Sequence, residues 1–418
     1  MERCSIIVEK GGVGMIVGIV GGGASGMAAA LAAAENQKVQ VILMERQTRV
    51  GRKLLSTGNG RCNLSNIHAL ERGYYGTEPE FCLPALRAFD PEATLKWFQS
   101  LGLFTVVEES GRVYPYSDQA NSVVDMLRLA LNKPNIQVKT GFDAQKIRKD
   151  GDGFSVSDGE ETVRCNKLIV ACGGLAGTKL GGSMAGYKLL SKLGHNSTRL
   201  RPALVQIKSD WTGLTALKGV RTNCHVKIFC DGRLFNQSRG ELQFTQYGLS
   251  GPVIFEISRD VCYGPGKWSC ELDFLPEISK DALKQELKQR QQRRMPVEEL
   301  LTGILHNRLG RVLTKAAGVK GKQWTGELND QELEAVCIGV KGFEIALSEP
   351  MGMDHAQVTA GGVLTEQFDP QTMESRLMPG LYACGEVLDI DGDCGGYNLQ
   401  WAWSSGRCAG LHAGKGTV

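Results

Sequence analysis

Met15-Ile-Val-Gly-Ile-Val-Gly-Gly-Gly-Ala-Ser-Gly26 is the stretch that decides how this chain folds. Its first half, Met15 to Val20, is a short apolar run suited to a strand buried on both faces of a parallel sheet. The second half sets Gly21, Gly23 and Gly26 around Ala24 and Ser25, a GxGxxG spacing directly after a strand. In such a turn Gly21 makes the tight corner and Gly23 lets a pyrophosphate approach the backbone. Gly26 lets the next helix, Met27 to Glu35, pack on the strand. The start of that helix offers unpaired N–H groups and a partial positive charge. A second apolar run, Val39 to Met44, leads to Glu45, 19 residues past Gly26, with Arg46 beside it. A carboxylate there accepts hydrogen bonds from an adenosine ribose and repels a 2′-phosphate. Strand, glycine turn, helix, strand and terminal acid in this order predict a Rossmann-type α/β domain for an unphosphorylated dinucleotide.

Further along, Lys167-Leu-Ile-Val-Ala-Cys-Gly-Gly174 reads as another buried strand, ending in Ala171, Cys172 and Gly173. Gly380-Leu-Tyr-Ala-Cys-Gly-Glu-Val-Leu-Asp389 is a later strand ending in Gly385 and Glu386. Gly395, Gly396, Tyr397 and Asn398 then open a helix through Leu399. This ordering resembles that of two-dinucleotide-binding-type flavoproteins, in which FAD lies across the sheet. The pyrophosphate then sits at the first turn and the ribityl chain near the late glycine–acid pair. A helix starting at Gly396 would aim its positive end at the flavin N1/O2 edge, where reduction places negative charge.

The resemblance becomes specific in four more stretches: Gly51-Arg-Lys-Leu-Leu-Ser-Thr-Gly-Asn-Gly-Arg-Cys-Asn63, Phe244-Thr-Gln-Tyr-Gly-Leu-Ser-Gly-Pro252, Val358-Thr-Ala-Gly-Gly-Val363 and Thr372-Met-Glu-Ser-Arg376. With the Gly385 to Gly406 block, the chain resembles the bacterial NAD(P)/FAD-dependent oxidoreductases that include aminoacetone-oxidase-like and bile-acid-reductase-like flavoproteins. Two departures stand out. Gln246 replaces an expected histidine, and Met184 and Ala185 stand where the family has glycine and aspartate. What the resemblance implies is FAD, a small β-barrel inserted into the FAD domain, and a helical subdomain.

Candidate groups follow from these blocks. Arg52, Lys53 and Arg61 flank glycines and would neutralise pyrophosphate or orient a substrate carboxylate, or else remain solvated cations. Asn59 and Asn63 would bond the flavin edge, although Asn59, beside Gly60, equally suits turn geometry. Cys62 shares that turn, but the chain has no CxxC among its thirteen cysteines, so idle thiols are expected. Asp389, Asp391 and Asp393 alternate like metal ligands, but a calcium loop would need glycine where Cys394 stands and glutamate where Gln400 stands. No metal is expected. Gln246, Tyr247 and His355 are the candidate substrate-side groups. Gln246 cannot serve as acid or base near neutral pH, so positioning over the flavin is expected to dominate catalysis, with the 244–252 turn lining one wall of the pocket.

The 418 residues carry a net charge of only +3, which gives no footprint for nucleic acid or membrane. Gly11 to Ala34 holds no charge, yet eight of its positions are glycine, so it divides into strand, turn and helix rather than spanning a bilayer. Odd cysteines and no secretory signal point to the cytoplasm. Residues 15–195 and 350–418 are expected to form the discontinuous FAD-binding domain. A β-rich cap should take 196–275 and 338–349, a helical subdomain 276–337, and an N-terminal extension 1–14. Asp231-Gly232 signals a hairpin, Asn329 with Glu332 a capping box, and the cations of 280–294 the wet face of a helix.

The expected activity is FAD-dependent hydride transfer to or from a small organic molecule, with NAD(P)H as transient donor or oxygen as acceptor. A flavin-dependent RNA-modifying protein and a non-catalytic flavin-binding module remain open beside it. Oligomeric state is not legible.

Overall fold

The computed structural model describes residues 14–415, apart from 71 and 320, so all but the last residue of the 1–14 extension lies outside the described residues. Five parallel strands form the sheet that the first motif announces, in the order Leu381–Ala383, Lys167–Val170, Ile16–Val20, Gln40–Glu45, Ile136–Thr140. Val17 pairs with both Lys167 and Val41, so the first strand is central. Val17, Ile19, Leu43, Leu168, Ile169 and Val170 are all buried, which explains their unbroken apolar run: both faces are covered. The order jumps outward from the first strand in both directions, and ligands of such sheets bind at the carboxyl ends beside that switch.

One face is covered by two helices, Ala24–Ala33 and Tyr397–Ala413. Their contact depends on small residues. A Cβ on Gly406 would lie 2.3 Å from the Ser25 carbonyl oxygen, and one on Gly410 the same distance from that of Ala29. Glycine at this four-residue spacing lets the two backbones touch, so the last helix locks the first onto the sheet. Both helices begin at the ligand end of the strands.

The chain forms two compact units, one up to Arg201 and from Gln357 on, the other Pro202–Ala356. The second is built on a six-stranded antiparallel sheet, nearly closed like a barrel. Its long hairpin joins Arg221–Cys230 to Arg233–Phe244, and Asp231 and Gly232 turn at φ +50° and +78° as the Asp-Gly signal requires. Its helices share the core of that sheet: Leu283, Leu287, Leu309 and Leu333 pack in one cluster with Val226, Phe244 and Leu272. Asn329 and Glu332 form the expected capping box. No described helix is long and apolar enough to cross a membrane.

Candidate functional site

The three fingerprint glycines divide by role. A Cβ on Gly21 would lie 2.3 Å from the Ala171 carbonyl oxygen, and one on Gly26 only 1.8 Å from that of Gly21. Those two are glycine because the protein itself leaves no room. A Cβ on Gly23 would meet nothing within 4 Å, although its φ of −79° suits any residue. Protein packing therefore gives no reason for glycine there, and close approach of a ligand does. Gly23 also caps the Ala24–Ala33 helix without a side-chain bond, and the first turn holds no acid. Its N–H groups and dipole are left for an anion.

Glu45 ends its strand where expected. Its Oε2 accepts from the Gly22 N–H at 2.7 Å and its Oε1 from that of Gln47 at 2.8 Å. The carboxylate is thus oriented by the glycine turn itself, and each oxygen keeps a lone pair for a ribose hydroxyl. Arg46 turns away to the Gly181 carbonyl at 2.5 Å.

The late glycine–acid pair is the hub of the site. Gly385 turns at φ +75°, and its N–H donates to Ser405 Oγ while Trp401 Nε1 donates to its carbonyl. Glu386 Oε2 accepts from Lys53 Nζ at 2.9 Å, and Oε1 accepts from the Thr359 N–H at 2.8 Å. Thr359 Oγ1 in turn accepts from the Ala176 N–H at 2.8 Å, just past Ala171, Cys172 and Gly173. One carboxylate therefore ties together three separated motif blocks. Thr359 lies inside the Val358–Val363 stretch, but nothing local in the sequence marks its hydroxyl as a bridge.

In the 51–63 loop the cations are spoken for. Arg52 donates to Gln47 Oε1 at 2.6 Å on the surface. Arg61 lies over the Tyr114 ring and is held by Asp118 and Glu108, whose carboxylates raise its pKa despite desolvation. Asn59 takes φ +57° and is exposed with Gly60, consistent with the turn role. Cys62 is fully buried, and desolvation pushes its thiol up to about 12. The buried Oδ1 of Asn63 has no hydrogen-bond partner.

Tyr397, Asn398 and Leu399 open the closing helix after Gly396, which sits at φ +104°. The Asn398 side chain is consumed by its own turn, accepting from the Gly392 N–H and donating to the Gly392 carbonyl at 2.7 Å. Asp389 Oδ2 accepts from Thr77 N–H and Oγ1, and Asp393 Oδ1 from the Tyr75 hydroxyl. These aspartates shape the loop, and among the described residues no group of three or more His, Cys, Asp or Glu is placed to hold a metal ion. Tyr74 packs edge-on against Tyr397 and donates to its carbonyl at 3.1 Å. An uncapped helix start, an open cradle at Gly23 and an orphaned Asn63 oxygen all fit a dinucleotide.

Gln246, Tyr247 and His355 belong to the second unit and are exposed. Gln246 Oε1 accepts from Lys218 Nζ at 3.0 Å. On the basic helix Lys280–Gln292, Lys280 and Lys284 both pair with Glu334 at 2.7 Å, and Arg290 pairs with Glu286 at 2.7 Å.

The sequence profile of the HI0933-like protein Rossmann domain matches residues 15–412. The 3-dehydro-bile acid delta(4,6)-reductase of Clostridium scindens is 37% identical over 405 residues, which cover 96% of this chain and 99% of that protein. The ribosomal RNA dihydrouridine synthase of Escherichia coli is 31% identical over 393 residues, covering 93% of this chain and 95% of that protein. Among solved structures, the 3-ketosteroid delta1-dehydrogenase from Sterolibacterium denitrificans is similar at TM-score 0.47 and 13% identity, with 95% of this chain and 99% of that chain covered.

Proposed function

This chain belongs to the HI0933-like Rossmann family, and on that premise we propose that it is an FAD-dependent reductase of carbon–carbon double bonds conjugated to a carbonyl. The observation that carries the dinucleotide is the Gly23 cradle at an uncapped helix start, with Glu45 oriented beside it. The reaction class is supported by the relatives. Delta(4,6) reduction saturates conjugated double bonds, and dihydrouridine is uridine with its ring double bond saturated, so both names describe one chemistry.

In this reading the N–H groups of Ser25 and Gly26 bind the pyrophosphate and Glu45 accepts the ribose hydroxyls. Gly385, Glu386 and Gly173 border the ribityl chain. The N–H groups of Tyr397, Asn398 and Leu399 oppose negative charge at the pyrimidine edge. Bound FAD supplies hydride transfer and holds two electrons between donor and acceptor. NAD(P)H is the proposed donor, and Gln246, Tyr247 and His355 are proposed substrate contacts.

The test is direct. Purified protein should release FAD on denaturation, be reduced anaerobically by NADH or NADPH, and be reoxidised by a conjugated 3-oxo steroid dienone under argon. Absence of FAD after reconstitution, or reoxidation by oxygen alone, overturns the reading.

A second reading, RNA as the carrier of the double bond, is favoured by the dihydrouridine synthase relative. The paired cations of Lys280–Gln292 weigh against that helix as a phosphate tract. Binding to ribosomal RNA that falls steeply between two salt concentrations would favour it.

A further inference from the structure

Phe104-Thr-Val-Val107 carries no charge. Among the described residues, Thr105–Val107 is nevertheless the edge strand of the sheet it forms with Arg112–Pro115 and Ser65–Asn66. Free edges are ordinarily guarded by charged side chains. Directly opposite residues of paired strands share a face, and alternate residues of one strand share it too. Val106 lies opposite Tyr114 and Asn66 opposite Arg112, and the Tyr116 N–H continues the register by donating to the Phe104 carbonyl at 2.8 Å. Phe104, Val106, Tyr114, Tyr116 and Asn66 therefore lie on one face. Three of them form an exposed apolar patch: Phe104 at 68%, Val106 at 40% and Tyr116 at 77%. Scattered exposed apolar residues are ordinary, but neighbours on one face mark a binding surface.

The same face runs to the candidate site. Tyr114 is buried, with the Arg61 guanidinium 3.8 Å from its ring centroid, and Arg61 belongs to the loop of the orphaned Asn63 oxygen. On the far strand Asn66 Nδ2 donates to the Gly395 carbonyl at 3.0 Å, just before the Tyr397–Ala413 helix. From that strand to the edge strand is two strand spacings, about 10 Å. We propose that the apolar body of a multi-ring ketone lies along this face, with Phe104, Val106 and Tyr116 setting the preference for it over a single-ring ketone. This rests on the reading above, in which that helix begins at the pyrimidine edge of the flavin.

Two observations favour a small molecule over a second copy of the chain. Three side chains fall far short of the roughly 20–30 residues that each side of a stable protein interface supplies. The Arg61, Glu108 and Asp118 charges beside Tyr114 bond one another, so an uncharged ring system covers the face without stripping water from them unpaired. Each ring laid on the face removes apolar area from water. That contact is the same before and during hydride transfer, so it tightens binding without speeding the chemical step.

The test uses the full-length FAD-loaded protein, photoreduced under argon and mixed with a conjugated 3-oxo steroid dienone or with cyclohexenone. Phe104→Ser combined with Tyr116→Ser should lower the ratio of second-order reoxidation rate constants, dienone over cyclohexenone, about tenfold. The loss should come through a higher half-saturating dienone concentration, with the limiting rate kept. Phe104→Leu should retain most of the preference. Leu129→Ser removes a similarly exposed apolar side chain, at 66%, from the Ala120–Ala130 helix and should leave the ratio at the wild-type value. A ratio unmoved in the double variant, or lowered equally by Leu129→Ser, overturns the proposal. So does sedimentation that finds a wild-type dimer and a monomeric double variant, which assigns the patch to a second copy. A wild type whose reduced flavin is reoxidised by neither ketone overturns instead the functional reading beneath it.

Discussion

Lys53 and Glu386, 333 positions apart in the chain, meet with Nζ and Oε2 at 2.9 Å. The other oxygen of Glu386 holds the Thr359 backbone N–H, so a single carboxylate fastens the early loop and a late strand to the Gly385 turn. Glu386→Ala leaves a half-buried ammonium and an amide without their acceptor, which should cost about 1–3 kcal/mol. Glu386→Gln should cost less, because an amide oxygen still serves Thr359. Urea unfolding of the flavin-free protein measures both, and equal midpoints for the two variants would contradict the hub role.

The fingerprint glycines should separate binding from folding. Gly23→Ala places its methyl where no protein atom stands within 4 Å, so the melt of the flavin-free protein should shift by less than about 1 kcal/mol. FAD affinity should nevertheless fall at least about tenfold, or about 1.4 kcal/mol. Gly26→Ala drives its methyl to 1.8 Å from the Gly21 carbonyl oxygen and should impair folding itself. Flavin content measured beside thermal melting distinguishes the two, and a Gly23→Ala protein that keeps its flavin would show that the pyrophosphate does not pass over Gly23.

His195 should give the first unit a pH-dependent stability. Its ring is buried, bonded through Nε2 to Ser375 Oγ at 2.8 Å and stacked on Phe368. Desolvation lowers its pKa, against a smaller raising effect of the Leu190 carbonyl. The unfolded state, with its pKa of about 6.5, therefore takes up the proton first as pH falls. The stabilisation is complete above that value and is lost below it until the lowered folded pKa is reached. Its slope is at most about 1.4 kcal/mol per pH unit. Melting temperatures between pH 8 and 5 should decline less steeply in His195→Gln.

The buried thiols should be silent. Burial pushes Cys62, Cys165 and Cys384 up to about 12, leaving almost no thiolate near neutral pH. Thiol titration at pH 8 should therefore detect these three only after unfolding. Cys62→Ser and Cys384→Ser should each keep flavin reduction within about tenfold, about 1.4 kcal/mol. Rapid labelling of Cys62 in the native protein would show that this turn opens.

What the sequence by itself determined is local. The Ile16–Val20 strand, its glycine turn, the helix after it and Glu45 are legible because each depends on neighbours within a few residues. The Asp231-Gly232 hairpin and the Asn329–Glu332 cap are legible for the same reason. Tertiary structure alone decided which polar groups meet. Arg61 looks like an anion ligand beside glycines, yet Asp118 and Glu108, brought from elsewhere in the chain, claim it. Asn398 looks like a flavin contact, yet its side chain closes the loop before it. Thr359 and Asn66 carry no local signature at all, and strands distant in sequence set them against Glu386 and Gly395. Backbone conformation is set largely by neighbouring residues, whereas the partners of a charge or an amide are set by whatever the folded chain brings within about 3 Å.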